Sequence, residues 1–489
     1  MACLACLTIA GCAVGPDFKP PAPPAVADAS RPYTPAPLPA QTASAPGTGG
    51  AAQRWVSTQD VPALWWQMFR SPALDALVRS AFENSPTLAS AQAALRQAQA
   101  LYEADAGSRQ WPAVTGSVGA TRQKSSQVAS GVPGGVTYSL YNASVNVSYT
   151  LDAFGATRRD LEGQLAAVDY QRFQLEAANL TLSANLVTTA IQEASLRAQR
   201  RATEDVIAAE TESLKVVQRQ AEIGAIARSV VLAQQAQLAQ TRATLPALDK
   251  ALAQTRHQLA VYAGRAPADG GLPEFTLDSL QLPEDLPLSL PSALARQRPD
   301  IQASEALLHQ ASAQVGVATA NLYPQITLSG SVGAQTNQLD KLFTGPASAW
   351  SLGASLLAPI FNGGALQARR TAAEAAYDQA AAQYRQTVLN AFLNVANTLQ
   401  ALDSDAQALR AQADAESLAR QSLELTQQQY RAGAVSYLAL LDSQRSYQQT
   451  RIGLVQAQAA RFADTAALFQ ALGGGWWNRS PEAAKTASN

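Results

Sequence analysis

The sequence predicts an α+β membrane protein in which long coiled-coil-like helices are joined to four short membrane-spanning strands per chain. Three observations carry that expectation: apolar residues spaced by seven along proline-free blocks, strict alternation of apolar and polar residues in four segments, and an internal two-fold repeat. The composition fits it. The chain has 489 residues, 47% of them hydrophobic and only 15% charged, so a sizeable core is available and disorder throughout is excluded. With 36 Lys+Arg against 37 Asp+Glu, bulk electrostatic binding to nucleic acid is not expected. Two histidines, His257 and His309, and three cysteines, all within the first twelve residues, leave no zinc constellation and no disulfide framework for the body of the protein.

At the start, an apolar run too short to span a bilayer leads to Leu7-Thr8-Ile9-Ala10-Gly11-Cys12. Residues 1–11 are read as a signal peptide and Cys12 as the lipidated new N-terminus, carrying palmitate or a similar acyl group as its only covalent addition; no other cofactor is expected. Ten of the 26 prolines fall between Pro16 and Pro46, so residues 12–54 are read as an extended Pro/Ala-rich linker without core.

The first repeat is assigned to 55–263. It holds a helix, strands at about 112–123 and 138–152, a long helix from Ala156 and a hairpin helix after Gly224. Leu161, Val168, Leu175, Leu182, Thr189, Leu196 and Thr203 recur every seven residues, with Leu165 and Leu186 at alternate seam positions. Such a helix, running to about Arg219, is on the order of 95 Å long, which no compact globule needs. Asp152 stands where it would cap that helix. Six prolines between Pro267 and Pro299 break the chain around a connector at 264–291. The second repeat, 292–474, has strands at about 324–336 and 348–359, a seam through Val388, Phe392, Val395, Leu399, Leu402, Ala406 and Leu409, a reversal at Gly433 and a helix from Ser436; residues 475–489 are read as a tail. Across the halves Trp111-Pro112 matches Tyr323-Pro324, the GSVGA at Gly116 recurs at Gly330, and Phe154 falls opposite Phe361.

The strands are the sharpest signal. From Tyr141 to Leu151 every odd position is apolar or aromatic and every even one polar, and the other three segments behave alike. Their polar faces are small and uncharged, suited to a wet lumen. Four strands cannot close a barrel and open edges are not tolerated in lipid, so several chains must contribute. Tyr138, Tyr141, Phe343 and Trp350 are candidates for an interfacial girdle.

In order and spacing, Gly11-Cys12-Ala13-Val14-Gly15-Pro16-Asp17-Phe18, Trp65-Trp66, Leu151-Asp152-Ala153-Phe154-Gly155, Arg298-Pro299-Asp300-Ile301, Leu322-Tyr323-Pro324-Gln325-Ile326 and Pro359-Ile360-Phe361-Asn362-Gly363-Gly364 resemble the outer membrane factors. These are the TolC-like and OprM-like channel lipoproteins of tripartite efflux and secretion systems. The resemblance covers Cys12 to about Gly474. It implies a homotrimer with one twelve-stranded outer membrane barrel and a helical tunnel into the periplasm, docked on a periplasmic adaptor (a membrane fusion protein) and an inner-membrane RND-type pump. It also implies that Leu438 and Asp442 point into the lumen at the periplasmic constriction, with Arg431 and Tyr430 holding the tips through polar links. Gln429 departs from relatives that carry an Arg in the locking network. The expected function is an exit duct for small molecules such as drugs; a type I protein-secretion duct and a coiled-coil surface lipoprotein are the alternatives. No motif pairs a nucleophile with a base and no GxxxxGK[ST] loop is present, so an enzyme is not expected.

Overall fold

The computed structural model describes residues 14–21, 33–35, 37–57, 59–288 and 291–479; Cys12 and the expected signal segment lie outside the described residues. The elements in chain order are β1 (Arg54–Val56), α1 (Pro72–Asn84), α2 (Pro86–Gln110), β2 (Ala113–Lys124), the single turn α3 (Gln127–Ser130), β3 (Thr137–Leu151), α4 (Ala156–Glu222) and α5 (Arg228–Tyr262). There follow β4 (Asp285–Pro287), α6 (Pro291–Gln297), α7 (Pro299–Ala320), β5 (Gln325–Thr336), β6 (Ser348–Leu357), α8 (Ala365–Arg431) and α9 (Tyr437–Ala471). Both α4 and α8 have 67 residues, roughly 100 Å of helix, and both α5 and α9 have 35. The described residues form two compact units, one of 14–21, 94–172 and 303–385, the other of the remaining described residues.

In the first unit the four strands form one antiparallel sheet in the order β2-β3-β5-β6. Register places like with like: Val145 of β3 lies between Gly116 and Val332, and Val332 pairs in turn with Trp350. Because side chains alternate across a strand, this register gathers Val118, Tyr141, Val145, Val332, Trp350 and Leu352 on one face, with Arg122 and Lys124 at its far end, and most of the hydroxyls and amides on the other. At the head of α4, Asp152 accepts hydrogen bonds from the backbone N–H of Thr157 at 3.0 Å and Arg158 at 2.9 Å, the capping its position predicts. The N-terminal segment is strapped to the same unit. Val14 donates its N–H to the Phe154 carbonyl, Phe18 stacks on His309 at 4.2 Å, and Arg159 pairs with both Asp17 (2.5 Å) and Glu162 (2.7 Å). A Cβ on Gly15 would sit 2.5 Å from Gly316 Cα, so this approach requires glycine.

The second unit has an aromatic core in which Trp65 stacks on Phe469 at 5.5 Å, with Phe69, Phe275 and Phe462 fully buried. Here the seam residues Leu182, Leu186, Leu196, Val388, Val395, Leu399, Leu402 and Leu409 are buried, which is what fixes the rotation of the long helices about their axes. Arg298 donates to the last-turn carbonyl of Ala471 at 2.8 Å while paired with Asp300 at 2.7 Å, so a guanidinium satisfies the C-terminus of α9.

Three expectations need correction. The linker does carry core: Thr42 and Gln53 are buried, and the wholly buried Arg461 donates to Gln53 Oε1 at 2.8 Å and Thr42 Oγ1 at 3.2 Å. These contacts are polar and long-range, so no hydrophobic period announces them. Residues 475–479 are not a free tail, since Trp476 donates to the Gln297 carbonyl at 2.7 Å and Arg479 pairs with Glu176 at 2.7 Å. Leu165, given a seam position, is 49% exposed, because the buried neighbours on its turn are Leu161, Gly163 and Ala166.

Candidate functional site

Two sites follow, one in each unit. The first is the sheet. Its apolar face is bare: Val118, Trp350 and Leu352 are each at least 80% exposed. A soluble protein buries such a face, and a sheet with both outer strands β2 and β6 unpaired on one side leaves rows of backbone groups without partners. On the opposite face hydroxyls bond across strands, Ser117 to Ser144 at 2.9 Å and Ser331 to Ser351 at 2.8 Å, with Asn146 donating to Ser144. The face is polar without being charged. Where the strands meet the helices, Tyr323 stacks on Phe154 at 4.9 Å, and Trp111 and Phe361 are exposed. This aromatic set lies at the end of the sheet away from Tyr138 and Trp350, and was read in the sequence as repeat and family markers, with no place at the membrane boundary.

The second site is where the two helical hairpins reverse. Each ends in a left-handed glycine, Gly224 at φ 75° and Gly433 at φ 72°, with a six-to-one backbone bond from Ala225 to Gln220 and from Ala434 to Gln429. Ser436 then caps α9. Around the reversals Val217, Tyr437, Leu440 and Leu441 form a buried cluster against Ile226, Val230, Val231, Ala233, Leu423 and Tyr430. Polar links cross it: the Tyr430 hydroxyl donates to Gln220 Oε1 at 3.2 Å, and the Tyr437 hydroxyl donates to Gln234 Oε1. Burial raises the Tyr437 pKa strongly, keeping the phenol protonated as a donor.

A model of the outer membrane efflux protein family matches residues 77–265 and 290–474, more than half of the sequence. The chain belongs to the outer membrane efflux protein family. Among relatives of this efflux protein, the pyoverdine export outer membrane protein OpmQ of Pseudomonas aeruginosa is 32% identical over 84% of this chain and 87% of its own. The antibiotic efflux pump outer membrane protein ArpC of Pseudomonas putida is 29% identical over 98% and 96%. In three dimensions it is similar to the outer-membrane channel OprN, with a TM-score of 0.85 at 29% identity, covering 95% of this chain and all of that one. VceC of Vibrio cholerae gives 0.80 at 26%, covering 85% and 100%. The fold is thus that of outer membrane channels, largely helical with a sheet, and the molecule is an outer membrane efflux channel reaching into the periplasm.

Of the residues the sequence singled out in this efflux protein, Tyr430 lies in the reversal cluster. Leu438 is 72% exposed and Asp442 is exposed on the same helix, one turn on. Arg431 is exposed, with no side-chain bond among the described residues. Sequence reasoning missed Glu210, Gln234, Gln237 and Arg445. Glu210 is 98% buried by its 2% exposure, accepts from Gln237 at 3.2 Å and Thr241 at 3.1 Å, and receives Gln234 on its own carbonyl at 3.0 Å. Arg445 of α9 donates to Gln237 at 2.6 Å. Glutamines are unremarkable on a helix surface, so nothing in the sequence separates these from their exposed neighbours.

Proposed function

We propose that three copies close their sheets, edge to edge, into one twelve-stranded barrel, with the apolar face in lipid and the hydroxyl face lining a wet lumen. The four paired helices of each copy continue it as a tunnel, and the two halves of the chain are a structural repeat. The supporting observation is the sheet itself: four strands, two open edges and one bare apolar face are unstable in lipid until other copies satisfy the edges. The duct passes small molecules, as the names of relatives that export pyoverdine or pump antibiotics suggest, and takes its energy from an RND-type pump through a periplasmic adaptor docked at the hairpin reversals. Cys12 carries the lipid. Leu438 and Asp442 form the constriction, giving three leucines and three carboxylates around the axis, a ring that favours cations. Imaging of detergent-extracted protein tests this: a hollow three-fold cylinder is expected, and a solid or monomeric particle overturns it.

A further inference from the structure

Glu210 is an anomaly in its surroundings. One carboxyl oxygen is satisfied by Gln237 and Thr241, but Oε2 is buried with no hydrogen-bond partner among the described residues, and so is Oε1 of Gln444 on α9. Both residues line one cavity of about 220 Å³, together with Asp205, Leu423, Gln427, Tyr447 and Arg451. Two acceptors are thus buried without a donor in residues that line one cavity, and of the two only the Glu210 carboxyl can carry a proton and become a donor itself.

The charged groups around Glu210 do not remove the need. Arg445 on α9 favours the carboxylate, but its Nε is engaged by Gln237. Arg451, on the cavity wall, reaches Glu416 at 3.7 Å, and Arg242 on α5 contacts Thr211. Asp205 is a second acid on the cavity wall and Tyr447 adds a phenol, while α8 contributes only uncharged Leu423 and Gln427. Burial outweighs the hydrogen bonds and Arg445, raising the carboxyl's pKa.

We propose that Glu210 is a proton-binding site: the carboxyl holds a proton while α9 lies against the α4–α5 hairpin and releases it to water when α9 separates, so acid favours the closed reversals. Its position supports this. The same residues that hold Glu210 also hold α9, since Gln234 receives Tyr437 and Gln237 receives Arg445, and Gln444 donates to Ser213 of α4 at 3.4 Å. Ionising Glu210 leaves a charge with an unpartnered oxygen buried beside these contacts, a cost that is relieved when α9 moves away and water enters. This rests on the reading of the reversals as a gate.

The test is bilayer recording of the purified full-length protein at acid and alkaline pH. Wild type should conduct several-fold more often at alkaline pH, while Glu210→Gln, an isostere of the protonated acid, should keep the acid level throughout. An unchanged pH response in Glu210→Gln, or none in the wild type, overturns the proposal. Infrared spectroscopy of the same proteins separates this from the channel reading, because it needs no conduction. Wild type should show protonated-carboxyl intensity at mildly acid pH that Glu210→Gln lacks, and identical spectra overturn the proton site even if no preparation conducts.

Discussion

Asp464 and Arg461 show how single residues set the chemistry of the second unit. Arg461 has no exposed surface, and its guanidinium donates to neutral oxygens of Gln53 and Thr42. Nearby, burial and then the hydrogen bond and charge of Asp405 push the Asp464 carboxyl up to about 7. The folded state thus binds a proton that the unfolded chain, with an ordinary value of 3.8, has already lost. Stability from this group is full below the unfolded value, declines as pH rises between the two, and is lost above about 7. Asp464→Asn should accordingly raise the melting temperature above neutral pH and leave it unchanged at pH near 3; a uniform shift would contradict the assignment. At the proposed constriction, Asp442→Ala should reduce cation selectivity in bilayer recordings, because three carboxylates leave the axis together. Unaltered selectivity would take Asp442 out of the lumen. Neither Arg461's partners nor Glu210's were legible in the sequence: their contacts join residues hundreds of positions apart or on separate helices. Asp152 was legible, since a cap acts within its own turn.

At the scale of elements, period made the strands and helices readable. Alternation in β3 needs only the pleat, and the seam of α8 needs only 3.6 residues per turn. The reversals were readable as well, because a left-handed residue without Cβ strain is nearly always glycine. Gly433→Val should cost about 1–2 kcal/mol from the left-handed backbone alone, since nothing crowds the site, and a lowered melting temperature would register it. A sharper test concerns the faces of β2. Val118→Arg puts a charge on the proposed lipid face at a cost of about 2–4 kcal/mol near the bilayer centre, so little protein should reach the membrane fraction. Ser117→Arg lies on the opposite face and should insert normally while lowering conductance. Equal recovery of both variants would mean that neither face meets lipid.

The whole molecule was legible only where local rules reach. Composition, alternation and the seven-residue seam determined that the chain is α+β, that its strands are two-faced, and that its helices are far longer than a globule needs. Each of those properties is a repeat along the chain, and a repeat is written in neighbouring residues. Tertiary structure decided the rest. It set the strand order β2-β3-β5-β6, drew the proline-rich segment into the core through Thr42 and Gln53, pinned Gly15 against Gly316, and gathered Glu210, Gln237 and Arg445 beside the reversals. Those contacts depend on which helix faces meet and on which buried polar atoms find partners. A burial penalty of that kind exists only once distant segments have excluded water together, which is why no window of sequence contains it.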